Sequence, residues 1–189
     1  NPAPGGPGLE PHWTTSAKDA VGTAYALSSN LWYTLSDGII NEIYYPTIDR
    51  PQVRDVQLLV TDGETFFHDE ARNTVSAVEC LTEKSLGLRV TNVDPDGRYR
   101  IIKEIISDPH QPCLLQRITL EAADGWEGRL RLFVLCAPHI DVGGWGDQGE
   151  VVEVQGQKVM VAADGGVWMA MASSPPILRC SCGYVGTND

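Results

Sequence analysis

Leu86-Gly87-Leu88-Arg89-Val90-Thr91, then Asp94-Pro95-Asp96-Gly97, then Ile101-Ile102 and Ile105-Ile106 have the pattern of two strands joined by a turn. Leu86, Leu88 and Val90 alternate with Gly87, Arg89 and Thr91, the two-residue period of a strand that buries one face. Pro95 fixes φ and Gly97 accepts a left-handed backbone, so the chain reverses between Thr91 and Arg98. Outward from this hairpin the pattern repeats. Leu130, Leu132 and Val134 alternate at first with Arg129 and Arg131, and Asp124-Gly125 predicts a hairpin turn before them. Asp37-Gly38, Asp62-Gly63, Gln155-Gly156 and Asp164-Gly165-Gly166 punctuate further strand-length segments at 39–45, 56–60 and 167–172. Ile101-Ile102 with Ile105-Ile106, and Phe133 to Ala137, have apolar residues on both faces, as strands enclosed within a layered sandwich require. One helical turn is expected at 16–20, and no window carries a sustained 3.6-residue apolar repeat. The expected fold class is all-β, two packed antiparallel sheets.

At 189 residues, with 42% apolar and 21% charged side chains, the chain has the makings of one substantial core. Residues 1–11, rich in Pro and Gly, read as an extended leader, and 12–189 as a single β-sandwich domain. Fourteen basic against 25 acidic residues leave a formal charge of −11, which repels nucleic-acid phosphates and anionic membrane surfaces. A neutral ligand such as a sugar fits better, and no apolar run approaches the span of a bilayer. Cys80, Cys113, Cys136, Cys180 and Cys182 are odd in number and contain no CxxC pair, so a zinc site is not expected, and a disulfide is the minority reading. Cys80 and Cys136 lie in apolar strand patterns and read as small buried hydrophobes.

Reaction chemistry is sparse. There is no GxSxG elbow, HExxH pair, phosphate-binding loop or dinucleotide fingerprint. His12, His68, His110 and His139 lack metal-ligand spacing. No catalytic residue, metal or cofactor is assigned. Trp13, Trp32, Trp126, Trp145 and Trp168 offer flat faces for a pyranose, but Trp32 and Trp168 sit in strand patterns and read as core. Trp145, within Gly143-Gly144-Trp145-Gly146, is either a sugar platform or an indole plugging the end of the sandwich, and the plug is preferred. In Asn41-Glu42-Ile43-Tyr44-Tyr45-Pro46, alternation sends Glu42 and Tyr44 to one face and Ile43 and Tyr45 to the other. A loop is expected at 47–54, with the polar groups pairing with Arg50, Arg54 or Asp55. Glu42, Tyr44, Tyr45, Arg50, Arg54, His139 and Trp145 are therefore the candidates for an interdomain or sugar contact.

Several stretches, taken in order, resemble the N-terminal domain of bacterial and archaeal family 15 glucoamylases and the related glucodextranases. They are Pro4-Gly5-Gly6-Pro7-Gly8, residues 13–19 from Trp13, Leu31-Trp32-Tyr33-Thr34-Leu35, residues 38–46, Arg54-Asp55 and Val60-Thr61-Asp62-Gly63. The second half adds Ala137-Pro138-His139, Gly143-Gly144-Trp145-Gly146, Ala172-Ser173-Ser174-Pro175-Pro176 and Gly183-Tyr184-Val185-Gly186. The resemblance implies a super-β-sandwich of the galactose mutarotase-like kind, truncated at its C-terminal end, where the family continues with further strands, a linker and an (α/α)6 barrel. That barrel would be the partner domain, and its two glutamates would invert the anomeric centre of an α-glucoside. The alternatives are a carbohydrate-binding module for α-glucans or maltooligosaccharides, and a mutarotase-like enzyme in which His and Glu side chains share a pocket.

Overall fold

The computed structural model describes residues 5–6, 8–25 and 28–184. Most of the leader expected at 1–11 is described, but residues 1–4 and 7 lie outside, as do Val185 and Gly186 of the last family-like stretch. The elements in chain order are β1 (Ala20–Thr23), β2 (Trp32–Ser36), β3 (Ile39–Tyr44), β4 (Pro51–Thr61), β5 (Phe67–Asp69), helix α1 (Glu70–Asn73), β6 (Val75–Cys80), β7 (Leu88–Val93) and β8 (Tyr99–Ser107). They continue with β9 (Leu114–Ala122), β10 (Arg131–Pro138), a one-turn 3-10 helix (Ile140–Val142), β11 (Gln148–Val154), β12 (Gln157–Asp164) and β13 (Val167–Met171). The chain divides into two compact units, residues 14–137 and residues 1–13 with 138–189.

In the first unit, one sheet runs β1-β2-β3-β4-β10, with β5 also on β4, and a second runs β6-β7-β8-β9. They meet as a sandwich. Tyr33, Leu35 and Ile40 from one sheet pack against Leu88, Val90 and Ile105 from the other, and Leu58 and Val60 pack against Tyr99 and Ile101. Each fully buried aliphatic side chain contributes roughly 1.5–3 kcal/mol. The phenol of Tyr33 donates to the Ile105 carbonyl at 3.1 Å, tying the layers together. Its ring lies against Gly22, its cross-strand partner, where an added Cβ would come within 2.2 Å of Cζ. In the second unit, β11-β12-β13 form a three-stranded antiparallel sheet. The all-β antiparallel expectation is met.

Local turn chemistry explains the hairpins. Ser36 pairs with Ile39 across Asp37-Gly38, whose φ values of 50° and 77° match the twist of the flanking strands. Gln155-Gly156 does the same between β11 and β12. Asp124-Gly125 does not make a hairpin: β9 pairs with β8, and β10 crosses to β4. A turn signal reverses the chain but does not choose the next strand's partner. The helical turn expected at 16–20 is absent, because β1 begins at Ala20. The helix forms instead at Glu70–Asn73, capped by Asp69, whose carboxylate accepts from the amides of Ala71 and Arg72 at 2.9 and 3.3 Å.

Burial differs from the sequence reading at several positions. Along β8, Tyr99, Ile101, Lys103, Ile105 and Ser107 face inward, whereas Ile106 is exposed, so this strand is covered on one face rather than enclosed. Phe133 and Val134 of β10 are exposed too. Trp168 is 67% exposed rather than core, because β13 half-buries Val167, Met169 and Met171 and turns the alternate residues outward. Cys80 is exposed on β6, an edge strand. Cys136 is half-buried rather than fully enclosed, and burial pushes its thiol up to about 12. All five thiols are free.

Candidate functional site

β3 places Glu42 and Tyr44 on one face, as alternation requires, and the Tyr44 phenol donates a short hydrogen bond to the Glu42 carboxylate. Burial, then this contact with Glu42, pushes the Tyr44 hydroxyl up to about 12. The cation on Glu42 is Lys18, at 2.9 Å, not Arg50 or Arg54 as the sequence suggested. Lys18 also donates to the Thr15 carbonyl at 3.0 Å, and Asn41 accepts from the Thr14 hydroxyl at 2.6 Å. These contacts anchor the non-strand segment 14–18 on β3. Alternation along β3 could not have revealed Lys18, which lies 24 positions earlier.

The loop expected at 47–54 is shorter, because β4 already begins at Pro51, a strand-initiating position where a missing N–H is tolerated. At the tip, the Tyr45 amide donates to the Arg50 carbonyl and the Arg50 amide to the Thr47 carbonyl, both at 3.1 Å. Gln52 Nε2 donates to the Tyr45 carbonyl at 2.8 Å. Arg54 is buried at the base of the hairpin, its Nε 2.6 Å from the buried Asp55 carboxylate.

In the other unit, His139 is buried with its ring centroid 4.8 Å from that of Trp13. Gly144 lies directly on that imidazole: a Cβ there would meet His139 Cδ2 at 2.2 Å. The next residue, Trp145, is 70% exposed rather than plugging a core. Asp147 accepts from the Ile140 amide at 3.1 Å, and burial raises its carboxyl above the usual range. Among the other tryptophans, Trp126 has its face covered by the Arg129 guanidinium at 4.5 Å.

The seven candidate residues thus group as Glu42 with Tyr44, Tyr45 with Arg50, Arg54 with Asp55, and His139 with Trp13, while Trp145 stands out into solvent. Glu42 meets Lys18 and Tyr44 rather than a histidine. Among the described residues, no group of three or more His, Cys, Asp or Glu side chains is arranged to hold a metal ion, and no helix is long and apolar enough to cross a membrane.

A family model described as glucodextranase, domain N, matches residues 3–189. The chain belongs to this family. Glucoamylase of Clostridium sp. (strain G0005) is 39% identical to this domain N chain over 184 residues, covering 97% of the chain and 26% of the relative. A bacterial glucoamylase solved in complex with acarbose matches with a TM-score of 0.86 at 38% identity, over 89% of this chain and 25% of that one. The chain therefore spans about a quarter of the length of each relative.

This domain N chain also holds a polar site that the sequence reading missed. Lys103, 1% exposed between the sheets, lies 2.7 Å from the equally buried Glu70. Glu70 accepts from the Asn92 side chain and the Leu58 amide, each at 2.9 Å, and Asn92 donates to the Gly38 carbonyl at 3.0 Å. Lys103 occupies the inward register of Ile101 and Ile105, which alternation alone does not distinguish from the face of Ile102 and Ile106.

Proposed function

We propose that this chain is the non-catalytic N-terminal β-sandwich of a glucoamylase- or glucodextranase-type hydrolase, packing against and orienting a catalytic (α/α)6 barrel in the same polypeptide. The observation that carries the reading is the family match over nearly the whole chain, joined to relatives about four times its length. In the inverting reaction proposed for the parent enzyme, one carboxylic acid protonates the leaving oxygen while an opposed carboxylate activates water. Glu42 suits neither role, being engaged by Lys18 and by the Tyr44 phenol. The contacts proposed for the barrel are the hairpin tip with Tyr45 and Arg50, steadied by Arg54, and the loop carrying Trp145 over His139. Glu42 and Tyr44 hold the neighbouring segment in place.

The test compares the 189-residue chain with the longer polypeptide on starch and dextran. Glucose release is expected from the longer protein alone, and release by the short chain would refute the reading. A second reading, an α-glucan-binding module, is favoured by the exposure of Trp145 and Trp168. It requires maltooligosaccharide or dextran binding by the isolated chain, measured by titration calorimetry and lost in Trp145→Ala.

A further inference from the structure

We infer that the β3–β4 hairpin tip, residues 45–50, is a preformed apolar plug that seats in a socket of the catalytic domain, with Ile48 as its anchor. This rests on reading the chain as one domain of a larger glucan hydrolase. Ile48 is 66% exposed and the neighbouring Tyr45 38% exposed. A lone exposed hydrophobe is ordinary, so exposure does not decide the matter. The decisive feature is that this one is held rigidly. Pro46 within the tip and Pro51 just after it restrict its backbone. Within it, Tyr45 and Arg50 are joined by a backbone hydrogen bond, Arg50 is bonded back to Thr47, and Gln52 fastens the Tyr45 carbonyl. The Thr47 hydroxyl and Asp49's own amide hold the Asp49 carboxyl below the usual range, adding a further internal tie. The base is equally firm, with Ile43 opposite Val53 and the Arg54–Asp55 pair buried behind it.

A tip ordered in advance loses little entropy on docking, which suits a small contact. The size of the knob selects its occupant. One Ile and part of one Tyr bury far less than the roughly 1,200 Å² a separate chain needs for stable association. A formal charge of −11 further opposes a second copy. A domain on the same polypeptide is supplied at high effective concentration, so a few anchoring contacts suffice. The socket is expected to be apolar.

Hydrogen exchange, read by mass spectrometry on the longer polypeptide and on the 189-residue chain, tests this directly. The amides of residues 47–49 should exchange at least about tenfold more slowly in the longer protein, the effect of burying one Ile side chain. Ile48→Asp should restore the rate seen in the short chain, while Ile48→Val should keep most of the protection. Thermal melting of each variant establishes that the sandwich remains folded. Equal rates in the two proteins, or protection that survives Ile48→Asp, would overturn the inference. So would protection that appears in the short chain and grows with its concentration, which would mark self-association. Glucose release from starch and dextran is assayed on the same samples: its absence removes the hydrolase reading, whereas the exchange rates report on docking alone.

Discussion

Replacing Lys103 with Met would remove the cation bonded to the buried Glu70 carboxylate while filling nearly the same volume. Glu70 would keep its hydrogen bonds from Asn92 and from the Leu58 amide, but its charge would lie uncompensated between the sheets. Breaking a buried pair in this way costs about 3–5 kcal/mol. With a urea m-value of about 2 kcal/mol/M, the unfolding midpoint should fall by roughly 1.5–2.5 M. Adding Glu70→Gln removes the charge and retains an acceptor for Leu58, so the double variant should recover most of the loss. The pH dependence follows. Burial pushes the Glu70 carboxyl up, and without Lys103 its strongest opposing influence is gone. A carboxyl whose folded pKa lies above its unfolded value contributes stability below the unfolded pKa and loses it as pH rises through the folded one. Lys103→Met should therefore be least stable near neutrality and regain stability on acidification towards pH 5. Urea titrations at pH 5 and pH 7.5 decide it. A midpoint shift below about 0.5 M, or a double variant as unstable as the single, would refute the buried-charge reasoning.

Three further outcomes are expected. Gly22→Ala should destabilise the chain by about 1–3 kcal/mol, because the new methyl meets the Tyr33 ring, and calorimetric melting would show it. The Thr65 hydroxyl, with the Glu64 and Thr65 amides, holds the Asp62 carboxyl well below the usual range. The stability it confers is present above its unfolded pKa and lost as pH falls through the folded one, so Asp62→Asn should flatten the acid limb of the melting-temperature profile. Trp145→Ala should leave stability within about 0.5 kcal/mol, since the indole is exposed, and a larger drop would mean that the ring packs after all.

The candidate site is partly legible in the amino-acid sequence. Alternation along β3 correctly joins Glu42 to Tyr44, because side-chain direction in a strand is a local property. Their cation is not legible, since Lys18 comes from a segment with no strand pattern. The glycines around Trp145 mark an unusual backbone, but whether the indole is free or buried is not written in them, and the close approach of Gly144 to His139 is a tertiary contact.

The all-β class, the reversals at Asp37-Gly38 and Gln155-Gly156, and the period of each strand are local properties, since backbone conformation and side-chain alternation act over a few residues. Long-range packing sets the rest: β10 joins β4 rather than β9, Trp168 faces solvent and Lys103 faces the core. A two-residue period defines two faces but not which will be covered. That depends on partners distant in the chain, and on whether they bring a counter-charge such as Glu70 to a side chain water would otherwise keep.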